Sequence, residues 1–81
     1  MKKDELLERL DNLSVPRSAY CLEGGLTSET FCVGYDNENM KWEFYYSERG
    51  NKNSLMTFIT PEEAYNYLYL VLKKEMSKNY F

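Results

Sequence analysis

Eighty-one residues leave room for one domain and no second, and a chain of this size buries only about 60% of the surface its unfolded form exposes. A net charge of −3 argues against nonspecific nucleic-acid binding, and the absence of histidine excludes Ser–His–acid and Cys–His catalysis. No run of 18 apolar residues is present, which excludes a membrane-spanning helix by hydropathy.

The amino terminus, MKKDELLERLDNL, places acids behind its lysines where a signal peptide needs an apolar stretch, so a cytoplasmic location is expected. The same segment reads as an amphipathic helix over Lys2 to Leu13. Leu6, Leu10 and Leu13 share one stripe with Leu7 beside it, while Asp4, Glu5, Glu8, Arg9 and Asp11 face water. Ser14-Val15-Pro16 stops it, because a residue before proline avoids the α region.

Tyr20 to Glu23 reads as a short strand ending at Gly24-Gly25, with Leu26 to Glu29 completing a loop and Thr30 to Tyr35 forming the second strand. An antiparallel register that sets Cys21 against Cys32 also sets Leu22 against Phe31 and Tyr20 against Val33. All four apolar residues then share a face. In a reducing cytoplasm both cysteines are thiols. They read as small apolar fillers, with a redox switch as the lesser reading, so reduced and oxidised protein are expected to melt alike. They make no zinc site, and no metal or cofactor is expected.

After turn residues Asp36 to Asn39, the segment Met40 to Arg49 (MKWEFYYSER) organises the chain. Met40, Trp42, Phe44 and Tyr46 alternate with Lys41, Glu43, Tyr45 and Ser47, the period of a strand with one face in a core and one in water. Trp42 is expected opposite Val33, and Phe44 opposite Phe31. Arg49 to Asn53 is a turn in which Gly50 and Asn51 can take left-handed conformations. Leu55 to Ile59 is a fourth strand whose alternation is broken; a bulge would reconcile the two possible inward sets. Thr60-Pro61-Glu62-Glu63 is a helix start with a capping box. The helix runs to about Ser77, with Ala64, Leu68, Val71 and Leu72 inward, Tyr65, Tyr69 and Met76 along one border and Tyr67 on the other. The tail Asn79-Tyr80-Phe81 is frayed or tucked against the sheet.

The fold class is therefore α+β: a four-stranded antiparallel sheet with N- and C-terminal helices packed on one face, in the order α-β-β-β-β-α, over residues 1–81. The second face would carry Cys21, Glu23, Thr30, Cys32, Lys41, Glu43, Tyr45 and Ser47. Carboxylates on a wet strand face are read as solvated rather than catalytic, and Gly24-Gly25 lacks the spacing of a phosphate loop. An enzyme is not expected. Glu43 and Tyr45 on that face, with Glu48 and Arg49 at the hairpin tip, are the candidate partner-binding residues, since tyrosine and arginine favour interfaces. Ten acids against three bases lie between Asp4 and Glu48, a flank suited to a basic partner.

The run W42-E43-F44-Y45-Y46-S47-E48-R49-G50, followed by Phe58 and then E62-E63-A64-Y65-x-Y67-L68, resembles the small immunity proteins of bacterial polymorphic-toxin systems of the contact-dependent and LXG types. The similarity extends from Tyr20 to about Lys74. It implies a protein that binds and neutralises a cognate toxin domain by stoichiometric inhibition, with no catalytic residue of its own. The alternative is a small adaptor module that self-associates through its sheet as a weak homodimer. Neither reading calls for nucleic acid or a membrane.

Overall fold

The computed structural model describes residues 1–24 and 29–78. Its elements follow the expected order: α1 (Lys3–Asn12), β1 (Tyr20–Cys21), β2 (Thr30–Asp36), β3 (Lys41–Glu48), β4 (Asn51–Phe58) and α2 (Pro61–Lys78). A 3-10 turn at Arg17–Ala19, which the sequence did not signal, leads into β1. The expectations for the loop over Gly25 to Ser28, for the Met76 side chain and for the tail Asn79 to Phe81 lie outside the described residues.

Leucine spacing builds α1, and both Leu6 and Leu10 are fully buried. Its stop is made two residues before Pro16. Ser14 takes a left-handed conformation, φ 61°. Its N–H reaches the Asp11 carbonyl, and the Val15 N–H reaches the Leu10 carbonyl, both at 3.0 Å. This is a Schellman motif, completed by the buried pair Val15 and Leu10, with the proline following as it commonly does. At the other end of the chain Thr60 caps α2: its Oγ1 accepts the Glu63 N–H at 3.4 Å and donates to Glu63 Oε1 at 3.0 Å.

The sheet order is β1-β2-β3-β4. β2, β3 and β4 form an antiparallel meander, whereas β1 runs parallel to β2 and makes the sheet mixed. Cys21 does stand opposite Cys32, but Tyr20 stands opposite Phe31 instead of Val33, and Leu22 lies beyond the strand. Between β2 and β3 the faces are as expected and the register differs by two residues. Val33 is opposite Phe44, Phe31 opposite Tyr46, and Tyr35 opposite Trp42. The cause is the turn. Asp36 and Lys41 close it as partners, so Met40 is the last turn residue, with φ 54° and 75% of its surface exposed. Inside it the Asp36 carboxylate accepts the Glu38 N–H at 3.0 Å and Asn39 Nδ2 at 2.8 Å.

Both helices share one core with one face of the sheet. Leu6, Leu10 and Val15 meet Ala64, Tyr65, Leu68 and Leu72 over Val33, Phe44 and Tyr20. Phe44 is the hub: its ring stacks on Phe31 at 5.6 Å and takes the edge of Tyr67 at 5.1 Å. Trp42, expected inside, is only half-buried, its ring 5.3 Å from that of the exposed Tyr35.

The second face is not the wet surface that alternation suggests. Thr30, Cys32, Glu43, Tyr45 and Ser47 are all buried. The closest described contact on that face comes from the backbone just past β1. Gly24, just past β1, lies over Gly34 of β2, so closely that a Cβ on Gly34 would come 3.0 Å from the Gly24 Cα and 3.7 Å from the Tyr45 ring.

Candidate functional site

The four candidate residues divide into two pairs. Glu43 and Tyr45 belong to the covered face and are 7% and 2% exposed, so neither presents itself to a partner. Lys52 reaches across from β4 to pair with Glu43, and its Nζ lies 4.9 Å from the centre of the Tyr45 ring. Burial, and then the neighbouring Cys32 thiol, push the Tyr45 phenol well above the ordinary tyrosine range. It stays neutral at any physiological pH. The expectation that these two side chains face solvent is therefore corrected. Alternation identifies two faces but does not tell whether both are covered.

Glu48 and Arg49 are exposed at the β3–β4 hairpin tip. Glu48 and Asn51 are partners, leaving a two-residue turn of Arg49 and Gly50 with φ 50° and 79°. Two positive φ values in a two-residue loop make a type I′ turn, whose twist matches that of the flanking strands. The left-handed positions are thus 49 and 50, one earlier than the sequence suggested. Around the tip, Glu48, Arg49, Asn51, Lys52 and Asn53 line a polar depression of about 540 Å³.

Beside the tip runs the feature that sequence reasoning missed. β4 lies at the end of the sheet order, hydrogen-bonded to β3 alone among the described residues, and every residue from Asn51 to Thr57 is exposed. The bulge is present: Phe44 pairs with Met56 and Tyr45 with Ser54, which leaves Leu55 as the extra residue. Register then puts Met56 and Phe58 on the helix side. Only Phe58 packs against the core, where it meets Tyr67 at 5.6 Å. Leu55, Met56 and Ile59 remain 53%, 46% and 82% exposed, and Leu70 of α2 is exposed as well. A signal for this edge did exist. Asn51 to Ser54 are polar at both parities, which suits a strand that neither face of a core receives.

A separate cavity of about 580 Å³ opens between α1 and β1, lined by Leu7, Arg17, Tyr20 and Leu22 among others. Its two bases are already engaged, Lys3 with Glu23 and Arg17 with Asp11. Among the described residues, no group of three or more His, Cys, Asp or Glu could hold a metal ion, and no helix is long and apolar enough to cross a membrane.

No protein-family model matches the chain, and neither a curated protein nor a solved structure is found to match it.

Proposed function

We propose that this chain works by binding another protein along the β4 edge and the β3–β4 tip, as an immunity protein that neutralises a cognate toxin domain by stoichiometric inhibition. The observation that carries the binding role is the open β4 strand. Eight residues of edge backbone, flanked by exposed Leu55, Met56 and Ile59, are suited to take an added strand, with main-chain hydrogen bonds for affinity and alternate side chains for specificity. The sequence resemblance to polymorphic-toxin immunity proteins supplies the class of partner. The acidic flank from Asp4 to Glu48 suits a basic one, and Arg49 at the tip could fork a carboxylate.

Co-expression with the toxin domain encoded beside it tests the reading. Wild type should co-purify with that domain at one to one and restore growth. Leu55→Asp and Met56→Asp should weaken the complex at least tenfold while leaving the melting point within a few degrees, since a charge buried beside an added strand is costly. Full protection by both variants would move the interface elsewhere. The absence of any toxicity to rescue would remove the toxin reading itself.

Self-association is the second reading, and one observation favours it. From Asn53 to Ile59 the edge carries no charge, so two copies could pair without like-charge repulsion. Sedimentation across micromolar to millimolar concentration separates the two. A dimer abolished by Leu55→Asp, with no binding to the toxin domain, supports self-association alone.

A further inference from the structure

Cys21 and Cys32 are Cα partners on the parallel pair β1–β2. Partners on neighbouring strands point to the same face, and here that is the covered face, in a row continued by Tyr45 and Ser54. Adjacent strands lie about 4.8 Å apart, inside the window of roughly 4.4–6.8 Å that Cα atoms of a disulfide occupy. The Cβ atoms need a closer approach, and β1 can make it. It is two residues long and sits at the edge of the sheet.

The two thiols differ in access. Cys21 is partly exposed and Cys32 is completely buried. The Cys21 Sγ donates to the Gly24 carbonyl at 3.3 Å, and the Cys32 Sγ to the Thr30 carbonyl at 3.7 Å. Both are weak, backbone-directed contacts that a new bond can replace; Cys32 also shares a side-chain hydrogen bond with Tyr45, which its Sγ gives up on forming the bond.

We propose that Cys21 and Cys32 are an intramolecular disulfide site, closed by a low-molecular-weight disulfide, with Cys21 as the entry thiol and Cys32 as the resolving thiol. In the first step the Cys21 thiolate attacks one sulfur of the oxidant, whose S–S bond breaks. The displaced thiolate takes up the proton that Cys21 released. In the second step Cys32 gives up its proton and its Sγ attacks the Cys21 Sγ, expelling a second small thiolate that is protonated in turn. Two protein thiols are oxidised by two electrons, and one small disulfide is reduced to two thiols. Entry must be at Cys21 because an external disulfide cannot reach the buried Sγ of Cys32.

The bond would clip β1 to β2 and close a ring spanning residues 21 to 32, in which Gly24 lies against Gly34 of β2. Closing a ring constrains the unfolded chain more than the folded one. The site lies away from β4 and the hairpin tip, so it does not rest on the toxin reading.

The experiment uses the folded, reduced full-length chain and oxidised glutathione, read by intact mass, non-reducing peptide mapping and thermal melts. The expected product has lost two hydrogens, carries a single Cys21–Cys32 linked peptide, and melts on the order of 10 °C higher. Dithiothreitol should reverse all three. In Cys21→Ser the buried Cys32 should remain unmodified under the same conditions while circular dichroism reports a folded chain. A stable glutathione adduct on Cys21 with Cys32 left as a thiol would overturn the proposal. So would a linked product that forms only in urea, one that joins two chains, or one that melts below the reduced protein.

Discussion

Phe44 shows at the scale of one residue how burial and aromatic number part company. It is 1% exposed and touches rings from β2 and α2, whereas Trp42, two residues earlier on the same face, is half-buried at the end of the sheet. Phe44→Ala is therefore expected to cost about 3–5 kcal/mol, enough to unfold much of so small a domain, and Trp42→Ala roughly 2 kcal/mol. Urea titrations of the two variants measure the difference, and equal losses would mean that Trp42 packs as a core residue. Tyr20 gives the opposite sign. Its ring belongs to the core, but its hydroxyl is buried with no hydrogen-bond partner among the described residues, and burial raises its pKa. Tyr20→Phe keeps the ring and removes the orphan group. It should stabilise the fold by up to about 1–2 kcal/mol; a clear loss of stability would reveal a partner for that hydroxyl.

Among the elements, the β2–β3 turn carries a carboxylate whose pKa is lowered in the fold. The Asn39 amide, and then the Glu38 and Asn39 backbone N–H groups, hold the Asp36 carboxyl below its ordinary pKa of 3.8. A lowered folded pKa means that the carboxylate's contribution is present above that ordinary value and lost as pH falls through the lower folded one. The melting-point gap between wild type and Asp36→Ala should thus hold from pH 7 to pH 5 and close in strong acid. A gap that persists at pH 2 would assign the effect to turn shape alone. Much of this element structure was legible in the residues. Leucine spacing set α1, Thr60 with Glu63 set the start of α2, and alternation set the parity of β2 and β3. Two things were not legible. Turn length decides register, and Met40 looks like a strand residue until Asp36 ties the turn around it. The direction of β1 depends on where its connection passes, which no local pattern records.

The whole molecule is asymmetric in what it leaves uncovered. Two helices close one face and the residues of the other are buried too, with Gly24 against Gly34, so the one long open boundary among the described residues is β4. This is why Glu43 and Tyr45, sound choices for an outer face, turn inward, while Glu48 and Arg49 keep the exposure that the hairpin tip promised. The same arrangement leaves little room at Gly34. A methyl group there would press on the Gly24 backbone, which cannot rotate away as a side chain could. Gly34→Ala is expected to cost roughly 1–3 kcal/mol by overpacking, and chemical denaturation would register it. An unchanged midpoint would mean that the Gly24 backbone yields freely.

The seat of Gly24 on Gly34 carries an expectation about the order of assembly. Gly34 gains its neighbour Tyr45 only when β2 pairs with β3, so the covered face is expected to close after Glu48 has left the ribosome, although α1 and β1 emerge first. The β2–β3 pair is then expected to form early and β1 to dock late. Pulsed hydrogen exchange during refolding should find the amides of β2 and β3 protected before those of β1, and a truncated nascent chain ending before Lys41 should hold its two cysteines open to alkylation.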